Sequence, residues 1–394
     1  MNCKQLLFVV ALSALANSVP TNTSCSSIPE PSCVDLVIPV TATANNTLLP
    51  SYPNSTSPTA FYEYSASLNF SKIPSFTNTI SGTFNISATY CKPTVNVDGR
   101  NAVQLLVHGV AYTKSYWSGN GYPDPEFTGE YSWVSRAQSQ GYATLSIDRL
   151  GNGASSHPDP INIAQGPLQV EILHQLTQSL RSGTIPSVSQ KYQTVILASH
   201  SYGSILGRSL ATLHPTTGAD AYILTAAGPN VERGFGATLP IFKARAASQV
   251  NPFLFADLPG GYVSIDAPAI RDSLYSYTSD FSAGLLAYDE TLTHIFLAGE
   301  VLAQAPLESK LSNFTGSVLI LTGRYDAIVC GSGNFTKSVV VCERSEIEGM
   351  KDFFPKVKKF GIYIPDKTGH NLNTHFSAGE SFGVVGEWLD DAGF

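Results

Sequence analysis

The chain has 394 residues, with 30 acidic and 23 basic side chains and a formal net charge of −7. Charged residues are 13% and hydrophobic ones 43%; this profile excludes a disordered chain and, without a basic run, argues against nucleic acid as a partner. Neither heptads nor a Gly-X-Y period appears, which excludes coiled coils and collagen-like fibres, and the length allows one large domain or two ordinary ones.

Lys4 precedes an apolar run, Leu6 to Ala16, that ends in Ala14-Leu15-Ala16. A basic start, a short hydrophobic segment and a small-residue cleavage site predict a secretory signal peptide over 1–16. The run is far below the roughly 20 residues that span a bilayer, and no later run reaches that length, so no membrane span is expected. Asn-x-Ser/Thr sequons stand at Asn22, Asn45, Asn54, Asn69, Asn85, Asn313 and Asn334, five of the seven before residue 90. Such a cluster suits exposed, glycosylated loops of a secreted chain. The last residues, Gly393-Phe394, show no Lys-Asp-Glu-Leu-like retention signal, so secretion is expected over retention in the secretory lumen.

After loss of Cys3, the cysteines are Cys25, Cys33, Cys91, Cys330 and Cys342. An oxidising compartment favours disulfides. Cys330 and Cys342 enclose a short polar segment and are expected to pair. Cys33 and Cys91 flank the first two predicted strands and could staple them, with Cys25 left over or exchanging with Cys33. No Cys-x-x-Cys or His-x-x-x-His spacing suggests a metal.

In chain order, Val34–Thr41 and Thr79–Tyr90 alternate as antiparallel strands at a sheet edge. Between them, 14 of the 20 residues in 41–60 are Ser, Thr, Asn or Pro, which predicts a solvated loop. From residue 102 short apolar strands alternate with helices: strand Val103–Val107, helix Tyr131–Gln140 closed by Gly141, and strand Ala143–Ile147. A helix opens at Pro167, runs to about Arg181 with Leu173, Leu176 and Leu180 on one face, and stops at Gly183. Strand Thr194–Ala198, helix Ile205–Leu213 and strands Ala221–Ala226, Val318–Thr322 and Gly361–Ile364 complete the series. This alternation predicts an α/β fold with a mostly parallel central sheet flanked by helices.

Residues 229–305 break the rhythm and are rich in aromatics, among them Phe253, Phe255, Tyr262, Tyr275, Tyr277, Phe281, Tyr288 and Phe296. They are expected to form a mainly helical insertion over the sheet, a cap or lid. It would divide the core into 17–228, which includes an N-terminal extension, and 306–394.

The strongest motif is Ser199-His200-Ser201-Tyr202-Gly203, between a strand and a helix. A nucleophile there needs a sharp turn that holds its hydroxyl clear of the sheet, and small residues two before and two after let the chain pass closely. In Val107-His108-Gly109-Val110, Gly109 lets a strand end turn so that the N–H of Val110, with that of Tyr202, forms an oxyanion hole. Asp326, in Gly323-Arg324-Tyr325-Asp326, lies just beyond a strand. His370, in Thr368-Gly369-His370, follows the last one. The order Ser201, Asp326, His370 suits a triad in which His370 takes the serine proton and Asp326 orients the imidazole. His375 could stand in for His370 and Asp148 for Asp326, while His294 could touch substrate. His200 is expected to point away from the site. Gly151-x-Gly153 is too short for a dinucleotide site, so no cofactor is expected.

On these motifs the chain resembles the α/β-hydrolase superfamily over roughly 30–390. Asp148-Arg149-Leu150-Gly151-Asn152-Gly153-Ala154-Ser155 is similar to its usually structural Asp-Arg-x-Gly-x-Gly-x-Ser segment. The glycosylated N-terminal region and paired late cysteines look most like secreted fungal members. Ser199 departs from the glycine usual there. Ser201 stands where epoxide hydrolases and dehalogenases of the superfamily carry Asp, which disfavours those activities.

The resemblance implies a secreted serine hydrolase that cleaves carboxylic esters of apolar small molecules through an acyl-enzyme, with the aromatics of 229–305 either lining the pocket or forming the cap's own core. Alternatives are a secondary-metabolite tailoring hydrolase or cyclase and a non-catalytic binding protein. Oligomeric state is not legible.

Overall fold

The computed structural model describes residues 33–55, 57–74, 77–122, 130–229, 243–265, 274, 280–292, 294–303, 311–331 and 340–394. The expected signal peptide, Cys25, Asn22, Asn334, Tyr275 and Tyr277 lie outside the described residues.

Eight strands form one sheet. In chain order six of them are β1 (Cys33–Asn46), β2 (Asn78–Cys91), β3 (Ala102–Val107), β4 (Ala143–Ile147), β5 (Thr194–His200) and β6 (Ala221–Thr225). Residues 229–305 then contribute three short strands, β7 (Arg245–Ala246), β8 (Tyr262–Ser264) and β9 (Ile295–Leu297), before β10 (Ser317–Leu321) and β11 (Lys359–Tyr363) return to the main sheet. Its order is β1-β2-β4-β3-β5-β6-β10-β11. All neighbours from β4 to β11 are parallel, while β2 is antiparallel to both β1 and β4. The central strands are buried along their length and mostly apolar, Val195 to Ala198 throughout and Val103 to Val107 apart from Gln104, which accepts the Trp133 indole N–H, as a parallel sheet covered on both faces requires.

The first pair of strands is longer than composition suggested. β1 runs on through Asn46 because its alternation continues: Ile38, Val40, Ala42 and Ala44 are buried while Thr41, Thr43 and Asn45 face water. Each exposed residue bonds side chain to side chain across the pair, Thr41 with Thr83, Thr43 with Ser81 and Asn45 with Thr79. Polar residues that read as a loop are therefore the solvent face of an edge hairpin. Its register places Cys33 opposite Cys91, and the two form a disulfide. Cys330 and Cys342 form the second.

The first four helices alternate with these strands, and two of them have clear local causes. Ala60–Ser67 forms α1. α2 (Trp133–Ser139) starts where the Ser132 side chain accepts the Ser135 N–H. α3 (Gly166–Ser182) carries Pro167 in its first turn, and ends at Gly183 in the left-handed conformation, φ 70°. α4 (Tyr202–Leu213) begins directly after Ser201. A C-terminal helix, Ala378–Asp391, packs on the β10–β11 edge, where Trp388 meets Gly361 so closely that a Cβ there would lie 2.5 Å from the indole nitrogen.

The described residues of 229–305 include short helices, among them Ala283–Thr291 and Ala298–Leu302. They also hold an antiparallel sheet, β7-β8-β9, which the sequence reading did not include because its strands are only two or three residues long. Tyr262 and Phe296 are fully buried and Phe296 meets Phe61 edge-on, whereas Phe253 is exposed. The described aromatics thus split between core and surface.

Candidate active site

The turn between β5 and α4 is built by close backbone approach. Ser201 has φ 53° and ψ −120°, a strained conformation for a side-chain-bearing residue. Its N–H donates to the Thr225 carbonyl at 2.9 Å, and its carbonyl accepts the Ser204 N–H at 2.7 Å. A Cβ at Gly203 would lie 2.5 Å from the Val107 carbonyl oxygen and one at Gly109 2.9 Å from the Ser201 Cβ. The end of β3, the His-Gly loop and the start of α4 therefore converge on Ser201. Ser199, where glycine was expected, causes no collision, because Gly207 of α4 faces it and leaves room for its hydroxyl.

Asp326 follows β10 and starts the short helix Ala327–Cys330, whose Ile328 and Val329 N–H groups donate to Oδ1 at 3.0 and 2.9 Å. His370 follows β11. Its Nδ1 lies 2.9 and 2.8 Å from the two Asp326 carboxylate oxygens, and its Nε2 lies 2.8 Å from Ser201 Oγ. With Nδ1 protonated, the imidazole donates to the carboxylate and accepts from the serine hydroxyl. All three side chains are buried, Ser201 being 7% exposed. Tyr202 opens α4, so its N–H is at the positive end of the helix, and Val110 follows Gly109 in the loop against Ser201.

The other candidates have different places. His375 turns into its own loop: Nδ1 pairs with the Asn371 carbonyl at 2.8 Å, and Nε2 accepts the Gly369 N–H at 3.0 Å. It braces the residues on either side of His370 instead of replacing it. Asp148 accepts the N–H groups of Lys114 and Ala154, which makes it a loop brace and not a partner of histidine. His200 stacks on Tyr116 with ring centroids 4.4 Å apart and reaches Thr225 Oγ1 at 3.0 Å. Burial, assisted by the nearby His370, holds its imidazole neutral well below the usual histidine range. The His294 ring packs near Tyr112, with centroids 5.9 Å apart.

Among the described residues, sequence reasoning missed the buried carboxylates that connect residues 229–305 to the site. Glu300 pairs with Arg149, Nη1 to Oε2 at 2.6 Å. Asp289 accepts from the Tyr112 hydroxyl at 3.1 Å and from Asn120 at 3.1 Å, and Asn371, next to His370, bonds to the same Tyr112 hydroxyl. The only sequence signal was Arg149 in the Asp-Arg-x-Gly segment; nothing pairs it with a residue 151 positions away.

A narrow cavity beside Ser201 is lined by Ile205, Arg208, Ala226, Ala227 and Met350. None of the described aromatics singled out in 229–305 is among its lining residues. A larger cavity lined by Tyr90, Lys92 and Arg100 opens near Ala102 and Ala143 at the N-terminal ends of β3 and β4, the sheet end opposite Ser201. Among the described residues, Glu171, His174 and His214 are the group that could hold a metal. The two imidazoles stack at 3.7 Å with planes 14° apart, so no single ion can lie in both ring planes, as metal–histidine bonding requires. No helix among the described residues is long and apolar enough to cross a membrane.

A family model described as "Alpha/beta hydrolase family" matches residues 104–377. The chain belongs to the alpha/beta hydrolase family. No curated protein sequence matches it. Solved structures that resemble this hydrolase include an esterase from Thermogutta terrifontis, with 16% identity, coverage of 78% of this chain and 94% of that one, and a TM-score of 0.49. A soluble variant of a monoglyceride lipase from Saccharomyces cerevisiae shows 13% identity, 78% and 92% coverage, and 0.49. An epoxide hydrolase from Vigna radiata shows 15% identity, 78% and 95% coverage, and 0.46. The activities named differ, and at such identity they do not carry over to this hydrolase.

Proposed function

We propose that this hydrolase is a secreted serine esterase. The observation that carries the reading is the hydrogen-bonded chain Ser201–His370–Asp326 at a strained strand-to-helix turn. His370 Nε2 takes the hydroxyl proton as Ser201 Oγ attacks the ester carbonyl, and Asp326 stabilises the resulting imidazolium. The N–H groups of Val110 and Tyr202 receive the oxyanion. His370 then protonates the departing alcohol, and water, activated by the same imidazole, releases the acid from the acyl-enzyme. A serine also argues against epoxide hydrolysis: ring opening by a hydroxyl leaves an ether that water does not cleave, whereas opening by a carboxylate leaves a hydrolysable ester.

The space beside Ser201 is small and of mixed character, with Ser204 and Arg208 beside Ile205, Ala226, Ala227 and Met350, which favours the shortest acyl groups. Residues 229–305 serve as the cap. Two disulfides suit an oxidising compartment, and Asn45, Asn54, Asn69, Asn85 and Asn313 are all exposed, as glycan attachment demands. Expression in a secreting eukaryotic host should yield a mature chain starting soon after Ala16, whose mass falls on N-glycosidase treatment. An unshifted mass would remove the glycoprotein reading.

Activity is tested with p-nitrophenyl esters of increasing acyl length on wild type and Ser201→Ala. Wild type should prefer short chains and the variant should lose about 10⁴-fold or more in kcat. Equal rates in both proteins would refute the serine mechanism.

A further inference from the structure

We propose that Glu300, acting through Arg149, positions the Gly109–Val110 peptide, so that residues 229–305 help to set the oxyanion site. The inference rests on the serine-esterase reading and extends it to two positioning residues.

Arg149 is 2% exposed, and Glu300 and its partner Gln169 are 0% and 2% exposed. The guanidinium meets the carboxylate through both nitrogens, Nη1 to Oε2 at 2.6 Å and Nη2 to Oε1 at 3.4 Å. Gln169 closes the triangle, accepting from Arg149 Nη1 at 2.8 Å and donating to Glu300 Oε2 at 3.0 Å. Glu300 Oε1 also accepts the Leu297 N–H at 3.2 Å. A buried ion pair of this kind is poor value as a source of stability, since an apolar set of the same volume often serves as well. Its geometry suggests another use.

Arg149 Nη2 donates to the Gly109 carbonyl at 3.2 Å. The same oxygen faces His108 Nδ1 at 2.7 Å, while His108 Nε2 accepts the Arg149 N–H at 3.0 Å. One carbonyl is thus held by two donors, both fixed by Arg149. The Gly109 carbonyl and the Val110 N–H belong to one planar trans peptide and point in opposite directions. Holding the carbonyl fixes the direction of the N–H. A guanidinium on the oxygen also polarises the peptide and strengthens its N–H as a donor. Gly109 is the residue whose Cβ would strike Ser201, so this peptide stands beside the nucleophile. Arg149 further lies over the Tyr202 ring at 4.9 Å, and Tyr202 supplies the other proposed donor.

The test uses Glu300→Gln, which keeps shape and removes charge, and Arg149→Lys, which keeps charge and removes the fork. Active sites are counted by fluorophosphonate titration to completion, so kcat refers to folded sites only. Loss of an oxyanion donor costs about 10²–10³ in rate, so a donor left in place but misaimed should cost about 10- to 100-fold in kcat, with KM within about twofold. The inhibition constant of an aryl trifluoromethyl ketone, whose adduct with Ser201 carries an oxyanion, should rise in parallel with the fall in kcat/KM. Wild-type kcat per titrated site in either variant, or a change confined to KM or to melting temperature, would overturn the positioning role and leave the esterase reading intact. Wild type that neither hydrolyses esters nor labels at Ser201 would overturn both.

Discussion

At Gly203 the requirement is steric. A methyl group there would sit 2.5 Å from one carbonyl oxygen and 2.7 Å from the next, and backbone cannot yield as a side chain can. Gly203→Ala should cost about 1–3 kcal/mol of stability, the usual cost of overpacking, and should lower the rate of fluorophosphonate labelling at Ser201. A urea midpoint and labelling rate equal to wild type would show that the turn can relax. His108 and His200 make a second case. Burial holds both imidazoles neutral, and Arg149 adds to the effect at His108. Their folded pKa values lie below the unfolded value near 6.5, so the unfolded chain binds more protons as pH falls through that value. Stability present above about pH 6.5 is then lost below it, at about 1.4 kcal/mol per pH unit for each histidine. Urea midpoints at pH 7.5 and 5.5 should differ accordingly; equal midpoints would mean that these rings take up protons in the folded protein. At this scale the motif residues were readable in the sequence because a nucleophile turn tolerates few residue types. The partners of Arg149 and Tyr112 were not, because Glu300 and Asp289 carry no local pattern and meet them only through the fold.

Among the elements, strands and helices of the α/β alternation lie close to their predicted spans, since the buried strands are short and mainly apolar and α3 carries both Pro167 and Gly183. The errors fall where that signal is weak. β1 ran six residues into a stretch of Thr and Asn whose buried partners are alanines, and the helix Ala378–Asp391 was missed because Gly379, Gly383 and Gly386 dilute its helical character. The two disulfides tie different elements. Cys33–Cys91 closes a separation of 58 residues and locks the β1–β2 hairpin; Cys330–Cys342 closes 12 and secures the segment after Asp326. Loop entropy gives about 4 kcal/mol for the first and about 3 kcal/mol for the second. Replacing both cysteines of a bridge by Ser should therefore lower the urea midpoint more for Cys33/Cys91. Activity should fall more for Cys330/Cys342, where the Cys342 N–H bonds to the Arg324 carbonyl two residues before Asp326. The opposite ranking of activities would separate that bridge from the site.

Across the described residues, the joints between 229–305 and the rest of the chain include two buried carboxylates, Glu300 on the Gly109 side and Asp289 on the side of Tyr112 and Asn371. Such joints make the segment a poor candidate for exchange between family members. A chimaera given a foreign segment there would leave the buried Arg149 without a carboxylate, and the Tyr112 hydroxyl without the Asp289 acceptor. Residues 229–305 and the sheet beneath Arg149 and Tyr112 are therefore expected to diverge together, each recording the other's history, and recombination to broaden substrate range would need these joints to travel with the exchanged piece.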